Sequence, residues 1–156
     1  QYGDMALKEV KKWINFRHRL VPYLYHTACQ THQSGIPMIR PLVMEYPKDP
    51  IAKIQNLSYM LGDALLISPG FDRDEYELYL PEGRWQDIES KEVYEGMTFV
   101  HIENKAFADG GTSLRVFQKE GTSIPLFAQK EVLHVPAQLW KQEDLEFMTF
   151  QKKDVD

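Results

Sequence analysis

Apolar residues at Leu7, Val10, Trp13, Ile14, Leu20, Val21 and Leu24 recur at the spacing of one helical face. Lys8, Glu9, Lys11, Lys12, Asn15 and Arg19 fall on the other face. Asp4 is placed to cap a helix that begins at Met5. Ser34-Gly35 supplies a stop near Gln33. The pattern predicts one helix of about 30 residues, roughly 45 Å long at about 1.5 Å per residue. Pro22 falls inside it, removes a backbone donor and predicts a kink near residues 18–22.

After Gly35 the period changes. Residues 38–46 read as a strand, and 51–61 as a short helix started by Asp49-Pro50. Strand-like runs follow at Ala64–Ser68, Tyr76–Leu80, Val93–Ile102, Ser113–Phe117, Thr122–Phe127, Glu131–Val135 and Leu145–Gln151. Turns at Pro69-Gly70, Pro81-Glu82-Gly83, Glu95-Gly96, Asp109-Gly110-Gly111 and Glu120-Gly121 separate them. This spacing predicts a mainly β fold, a β-sandwich preceded by one long N-terminal α-helix. The chain opens almost directly on that helix and begins at Gln1, so an excerpt of a longer polypeptide is expected. The helix's apolar stripe needs a partner, and the missing N-terminal part is the natural candidate.

Composition narrows the class. A chain of 156 residues has room for one domain, or one domain and a piece of another. Hydrophobic content of 43% and charged content of 26% exclude a disordered chain. The net charge is −5, and the only tight basic pairs are Lys11-Lys12 and Lys152-Lys153, so no nucleic-acid partner is expected. No apolar run approaches the roughly 18 residues of a membrane span, and no signal peptide is visible. The single cysteine, Cys29, cannot form an internal disulfide, which suits a reducing, cytoplasmic setting.

Residue types that carry chemistry are present, but they do not group. Asp72, Asp74, Glu75 and Glu77 lack the glycine and terminal glutamate of a calcium loop and read as a solvated turn. Glu45 and Asp49 bracket Pro47 and match a glycosidase acid pair only by residue type, since sequence cannot supply the separation of their carboxyls. His18, His26, His32, His101 and His134 form no zinc motif. Cys29 has His26 and His32 one turn away on either side but no orienting third group, so it reads as a helix packing residue. Gly110-Gly111 is too little to cradle a phosphate, and no helix follows it. Trp85, Tyr94, Phe99, Phe107, Phe117, Phe127 and Trp140 read as sandwich core or as a face toward the missing part. The alternative is a platform on which sugar rings stack. From the residues, then, no catalytic, cofactor-binding or metal-binding set is assigned.

Specificity comes from several segments in order. They are Arg17-x-Arg19-Leu20-Val21-Pro22-Tyr23-Leu24-Tyr25, Gly35-Ile36-Pro37-Met38-Ile39-Arg40-Pro41-Leu42 and Glu45-Tyr46-Pro47-x-Asp49-Pro50. Then come Tyr59-Met60-Leu61-Gly62-Asp63-Ala64-Leu65-Leu66-Ile67-Ser68-Pro69 and Tyr79-Leu80-Pro81-Glu82-Gly83-Arg84-Trp85-x-Asp87. This succession resembles glycoside hydrolase family 31, the α-glucosidases and α-xylosidases, over roughly residues 3–127. Gly121-Thr122-Ser123-Ile124-Pro125-Leu126 is similar to the family's late sandwich strand.

The resemblance implies a catalytic (β/α)8 barrel followed by a proximal β-sandwich. Residues 1–34 then correspond to the last helix of the barrel, 35–135 to the sandwich, and 136–156 to a final strand or the start of a distal domain. It implies a retaining mechanism with an aspartate nucleophile and an aspartate acid/base, at the C-terminal ends of the barrel strands. The nucleophile motif, W-x-D-M-N-E, is nowhere in this chain. The resemblance therefore transfers no catalytic role to any residue here and implies no cofactor. The implied partners are the missing barrel and, for the parent, an α-glucoside or α-xyloside; homo-oligomers are possible through the exposed stripe. A carbohydrate-binding sandwich module and a parent acting as a transglycosylase are the alternatives.

Overall fold

The computed structural model describes residues 4–70, 75–103, 114–128 and 140–152. Its order begins with α1 (Asp4–Arg19) and α2 (Val21–Ser34). The long helix is thus two helices that meet at Leu20. Leu20 keeps helical backbone angles, with φ −72° and ψ −5°. Its N–H still bonds to the Phe16 carbonyl at 3.0 Å, and the Leu24 N–H bonds back to Leu20 at 2.9 Å. Pro22 has no N–H to continue the ladder, and its ring displaces the preceding turn, which sets the break where the sequence placed a kink. α2 closes at Gly35, whose N–H reaches the Thr31 carbonyl at 2.9 Å.

Strand β1 (Ile39–Pro41) is shorter than the expected run of 38–46, because Leu42–Glu45 forms a single helical turn, α3. Pro41 cannot extend the ladder as a donor. The turn drops Leu42 into the core, where it is fully buried. The short helix expected at 51–61 is absent. A one-turn loop at 50–54 gives way to β2 (Tyr59–Leu61). Asp49 Oδ1 accepts the N–H groups of Ile51 and Ala52, which turns the chain locally. Sheet pairing then claims Tyr59–Leu61, an override of helical pattern by tertiary contact.

The remaining strands are β3 (Leu65–Ser68), β4 (Glu75–Leu80), β5 (Arg84–Asp87), β6 (Val93–Glu95), β7 (Thr98–Glu103), β8 (Arg115–Lys119), β9 (Thr122–Phe127) and β10 (Leu145–Phe150). β5 escaped the sequence pattern because Trp85 is its only apolar residue. The run expected at 93–102 is two strands, broken at Gly96 and Met97. A side chain at Gly96 would meet the carbonyl oxygens of Pro81 and Gly83 at 2.1 and 2.5 Å, so only glycine fits there. The expected strand at 131–135 lies outside the described residues.

Six strands form one antiparallel sheet in the order β1-β2-β3-β8-β5-β6, with β4–β7 and β9–β10 as separate antiparallel pairs. The six-stranded sheet is covered on both faces. Met60, Leu66, Trp85 and Phe117 pack with Leu78, Leu80, Val100 and Ile102 of β4 and β7. Leu65, Ile67 and Val116 pack with Leu20 and Tyr23 of the helices and with Ile124 and Leu126 of β9. This is why Leu65, Leu66 and Ile67 are consecutive apolar residues with no polar alternation. The fold is mainly β, a sandwich preceded by helix, and the helix pair forms a layer of it.

Met60→Ala is expected to cost about 2–5 kcal/mol in urea unfolding, as for a fully buried side chain. Ile54→Ala, at 78% exposure, should stay within about 0.5 kcal/mol. Equal losses at the two sites would reject the strand assignment of 59–61.

Candidate functional site

The helix layer meets the sheet at Tyr23. Its ring is 3% exposed. Its hydroxyl donates to the Leu61 carbonyl at 2.7 Å and accepts the Ala64 N–H at 3.2 Å. Both partners flank the β2–β3 turn at Gly62, where φ is +63°. A Cβ at Gly62 would stand 2.3 Å from the Tyr23 hydroxyl. Burial pushes the Tyr23 phenol up to about 12, so it stays a neutral donor. Thr27 Oγ1 donates to the Tyr23 carbonyl at 2.9 Å and is itself fully buried.

Beside this joint the helix stripe divides. Trp13, Phe16, Leu20 and Leu24 face the sheet. Leu7, Val10 and Ile14 are left 67%, 44% and 48% exposed. Between α1 and the sheet edge runs an open groove of about 610 Å³. Val10, Ile14, Met38, Ile39, Tyr59 and Leu61 line it. Among the described residues Arg17 is the one charged side chain on its wall. An exposed apolar surface of this kind marks a contact face.

The candidate acids are engaged elsewhere. Glu45 pairs with the buried Arg40 at 2.7 Å, and Arg40 Nε donates to the Pro37 carbonyl at 2.8 Å. Asp49 accepts two backbone N–H groups through one oxygen and the Tyr79 hydroxyl, at 2.6 Å, through the other. Burial pushes the Asp49 carboxyl up, but these three donors outweigh it and hold it below the usual carboxylate range. Burial, with Asp49 alongside, raises Tyr79 to about 12. The carboxylates of Glu45 and Asp49 are therefore structural ties of α3 and the 50–54 loop.

The histidines are dispersed. His26 lies in a small polar pocket with Asp63 and Thr122. His18 and His32 sit on the helices. His101 bonds to Glu77 at 2.8 Å on the outer face of β4–β7, which raises its pKa. Glu75 and Glu77 lie on β4, while Asp72, Asp74, Gly110, Gly111 and His134 fall outside the described residues. Among the described residues no group of three His, Cys, Asp or Glu side chains can hold a metal ion. Cys29 is exposed.

Most of the aromatic set fills the interior. Trp85, Phe117 and Phe127 are buried, and Tyr94 packs edge-on to Phe117. Trp140 stacks edge-on between Tyr25 and Phe127, tying the chain before β10 to α2. Phe99 is half exposed beside Tyr79, and Phe107 is outside the described residues. Sequence pattern could not find the Tyr23 hydroxyl joint, because its partners lie about 40 residues away and are backbone atoms.

Residues 35–131 match the family described as Glycosyl hydrolase family 31 C-terminal domain. The chain belongs to glycoside hydrolase family 31. It is 35% identical over 129 residues to human neutral alpha-glucosidase AB, covering 80% of this chain and 13% of that protein. It is 32% identical over 127 residues to the 1,6-alpha-glucosyltransferase of Sporosarcina globispora, covering 80% of this chain and 10% of that protein. The cycloalternan-forming enzyme from Listeria monocytogenes, solved with a pentasaccharide substrate, aligns at a TM-score of 0.71 and 33% identity. It covers 87% of this chain and 13% of that one. The family 31 dextranase from Flavobacterium johnsoniae aligns at a TM-score of 0.65 and 30% identity, over 74% of this chain and 14% of that one. The chain thus spans 10% to 14% of the length of these relatives. Two of the ordered segments that carried the resemblance meet at the joint: the Pro22-Tyr23 segment and the β2–β3 turn.

Tyr23→Phe is expected to destabilise the chain by about 1–3 kcal/mol in urea unfolding, since it strands the buried Ala64 N–H and Leu61 carbonyl. Asp49 gives a pH test. A lowered carboxyl contributes stability above its unfolded pKa of about 3.9, and that contribution is lost as pH falls through the folded value. Asp49→Asn should flatten the acid limb of the stability profile. An unchanged acid limb would show that Asp49 is not a tie.

Proposed function

We propose that this chain is the C-terminal structural part of a retaining α-glycosidase that acts on terminal α-linked glucose or xylose. The chain itself is catalytically inert, and it seats the parent's catalytic barrel. One observation carries the proposal: an apolar groove and the exposed Leu7, Val10 and Ile14 have no covering element among the described residues, in a chain that spans about an eighth of its relatives. The barrel upstream supplies the occupant of that groove. The carboxylates of Glu45 and Asp49 support the inert reading, because each is already held by structural donors. The names of the relatives include both glucosidases and glucosyltransferases, so a parent that transfers glucose to a sugar acceptor is the second reading. No helix among the described residues is long and apolar enough to cross a membrane.

The isolated chain should show no turnover of aryl α-glucosides or α-xylosides. Hydrolysis abolished by a single substitution at Glu45 or Asp49 would overturn the inert assignment. Co-expression of the upstream barrel with this chain should restore activity that Val10→Glu with Ile14→Glu removes. Full activity of that double variant would rule out the groove as the seat.

A further inference from the structure

Along α1 the exposed apolar residues Leu7, Val10 and Ile14 are followed at the same spacing by Arg17. Steps of three and four residues keep all four on one flank of the helix. The exposed stripe beside the groove of about 610 Å³ therefore carries a guanidinium one turn beyond Ile14, and Arg17 is itself exposed.

The other arginines among the described residues each have a carboxylate. Arg19 pairs with Glu146, Arg40 with Glu45 at 2.7 Å, Arg84 with Glu95 at 3.0 Å and with Glu120, and Arg115 with Asp87 at 3.5 Å. Arg17 has no ion pair or hydrogen bond among the described residues. No carboxylate among them lines the groove.

A body that covers this flank takes Arg17 out of water. A guanidinium desolvated without a counter-charge is costly. Its planar fork matches a carboxylate through two parallel N–H donors. The apolar flank and the unpaired cation together specify the complementary surface: apolar side chains around one acid. A second copy of this chain does not supply it through the same groove, because a twofold contact sets Arg17 against the same carboxylate-free wall.

We propose that the barrel segment seated in this groove presents one Asp or Glu carboxylate to Arg17, and that this pair fixes where along α1 the barrel docks. The assignment rests on the proposed seating of the barrel; the unpaired state of Arg17 does not.

The complex of this chain with its co-expressed upstream barrel tests the pair. Arg17→Met, on an exposed side chain, should leave the urea midpoint of the chain unchanged and weaken association at least about tenfold. Added salt should weaken the original complex more than the Arg17→Met complex. In Arg17→Lys, carbodiimide treatment should form an amide between position 17 and one upstream Asp or Glu, read by mass spectrometry. Unchanged or tighter association of Arg17→Met would overturn the pair, as would an amide formed only within this chain or with a second copy of it. Val10→Glu with Ile14→Glu separates the two proposals. If it abolishes association while Arg17→Met does not, the carboxylate fails and the seat stands; if it leaves association intact, the seat itself fails.

Discussion

Tyr23 reaches from α2 into the β2–β3 turn and satisfies two backbone groups there with one hydroxyl. Around it the helix layer and the six-stranded sheet keep their relative placement. Gly62 must lack a side chain for the hydroxyl to arrive, and Pro22 sets the helix break at Leu20, two residues before it. Burial keeps the phenol neutral, so the joint holds across ordinary pH. A buried donor and acceptor of this kind are costly to leave unmade, and this makes the joint specific as well as stable.

From that joint the layers follow. The six-stranded sheet is covered by β4–β7 on one face and by the helices with β9 on the other. Strands in its middle are apolar on both sides, as Leu65–Ile67 are. β9–β10 closes over the helix break, where Arg19 bonds to Phe127 and pairs with Glu146. Trp140 adds an aromatic contact across Tyr25 and Phe127. The helices therefore belong to the sandwich's packing, while Leu7, Val10 and Ile14 on one flank of α1 are exposed among the described residues.

The polar groups divide in the same way. Asp49 and Glu45 have the residue types of a glycosidase pair, and the fold uses both to hold turns. The ionic side of α1 is paired with the loop after β5 and with β10. Among the described residues the apolar side of α1 has no such ion pairs, and Arg17 is the one charged residue lining its groove. One helix thus presents two different surfaces, one apolar and one ionic.

Much was legible in the sequence because it depended on neighbours along the chain. The helix period, the proline break, the Gly35 stop and most strands are local patterns of side-chain spacing. Ordered motifs at family spacing carried membership in glycoside hydrolase family 31 and the absence of its nucleophile motif. What depended on distant partners was not legible. The helix expected at 51–61 gave way to β2 because β1 and β3 flank it and Met60 is buried between layers. β5 was hidden because only Trp85 marks it, and the break at Gly96 arises from carbonyls of 81 and 83. The division of the helix stripe, half buried against the sheet and half open, is a property of packing. Periodicity specifies that a face is apolar, but only the tertiary structure decides which body covers it, since burial depends on what lies across in space.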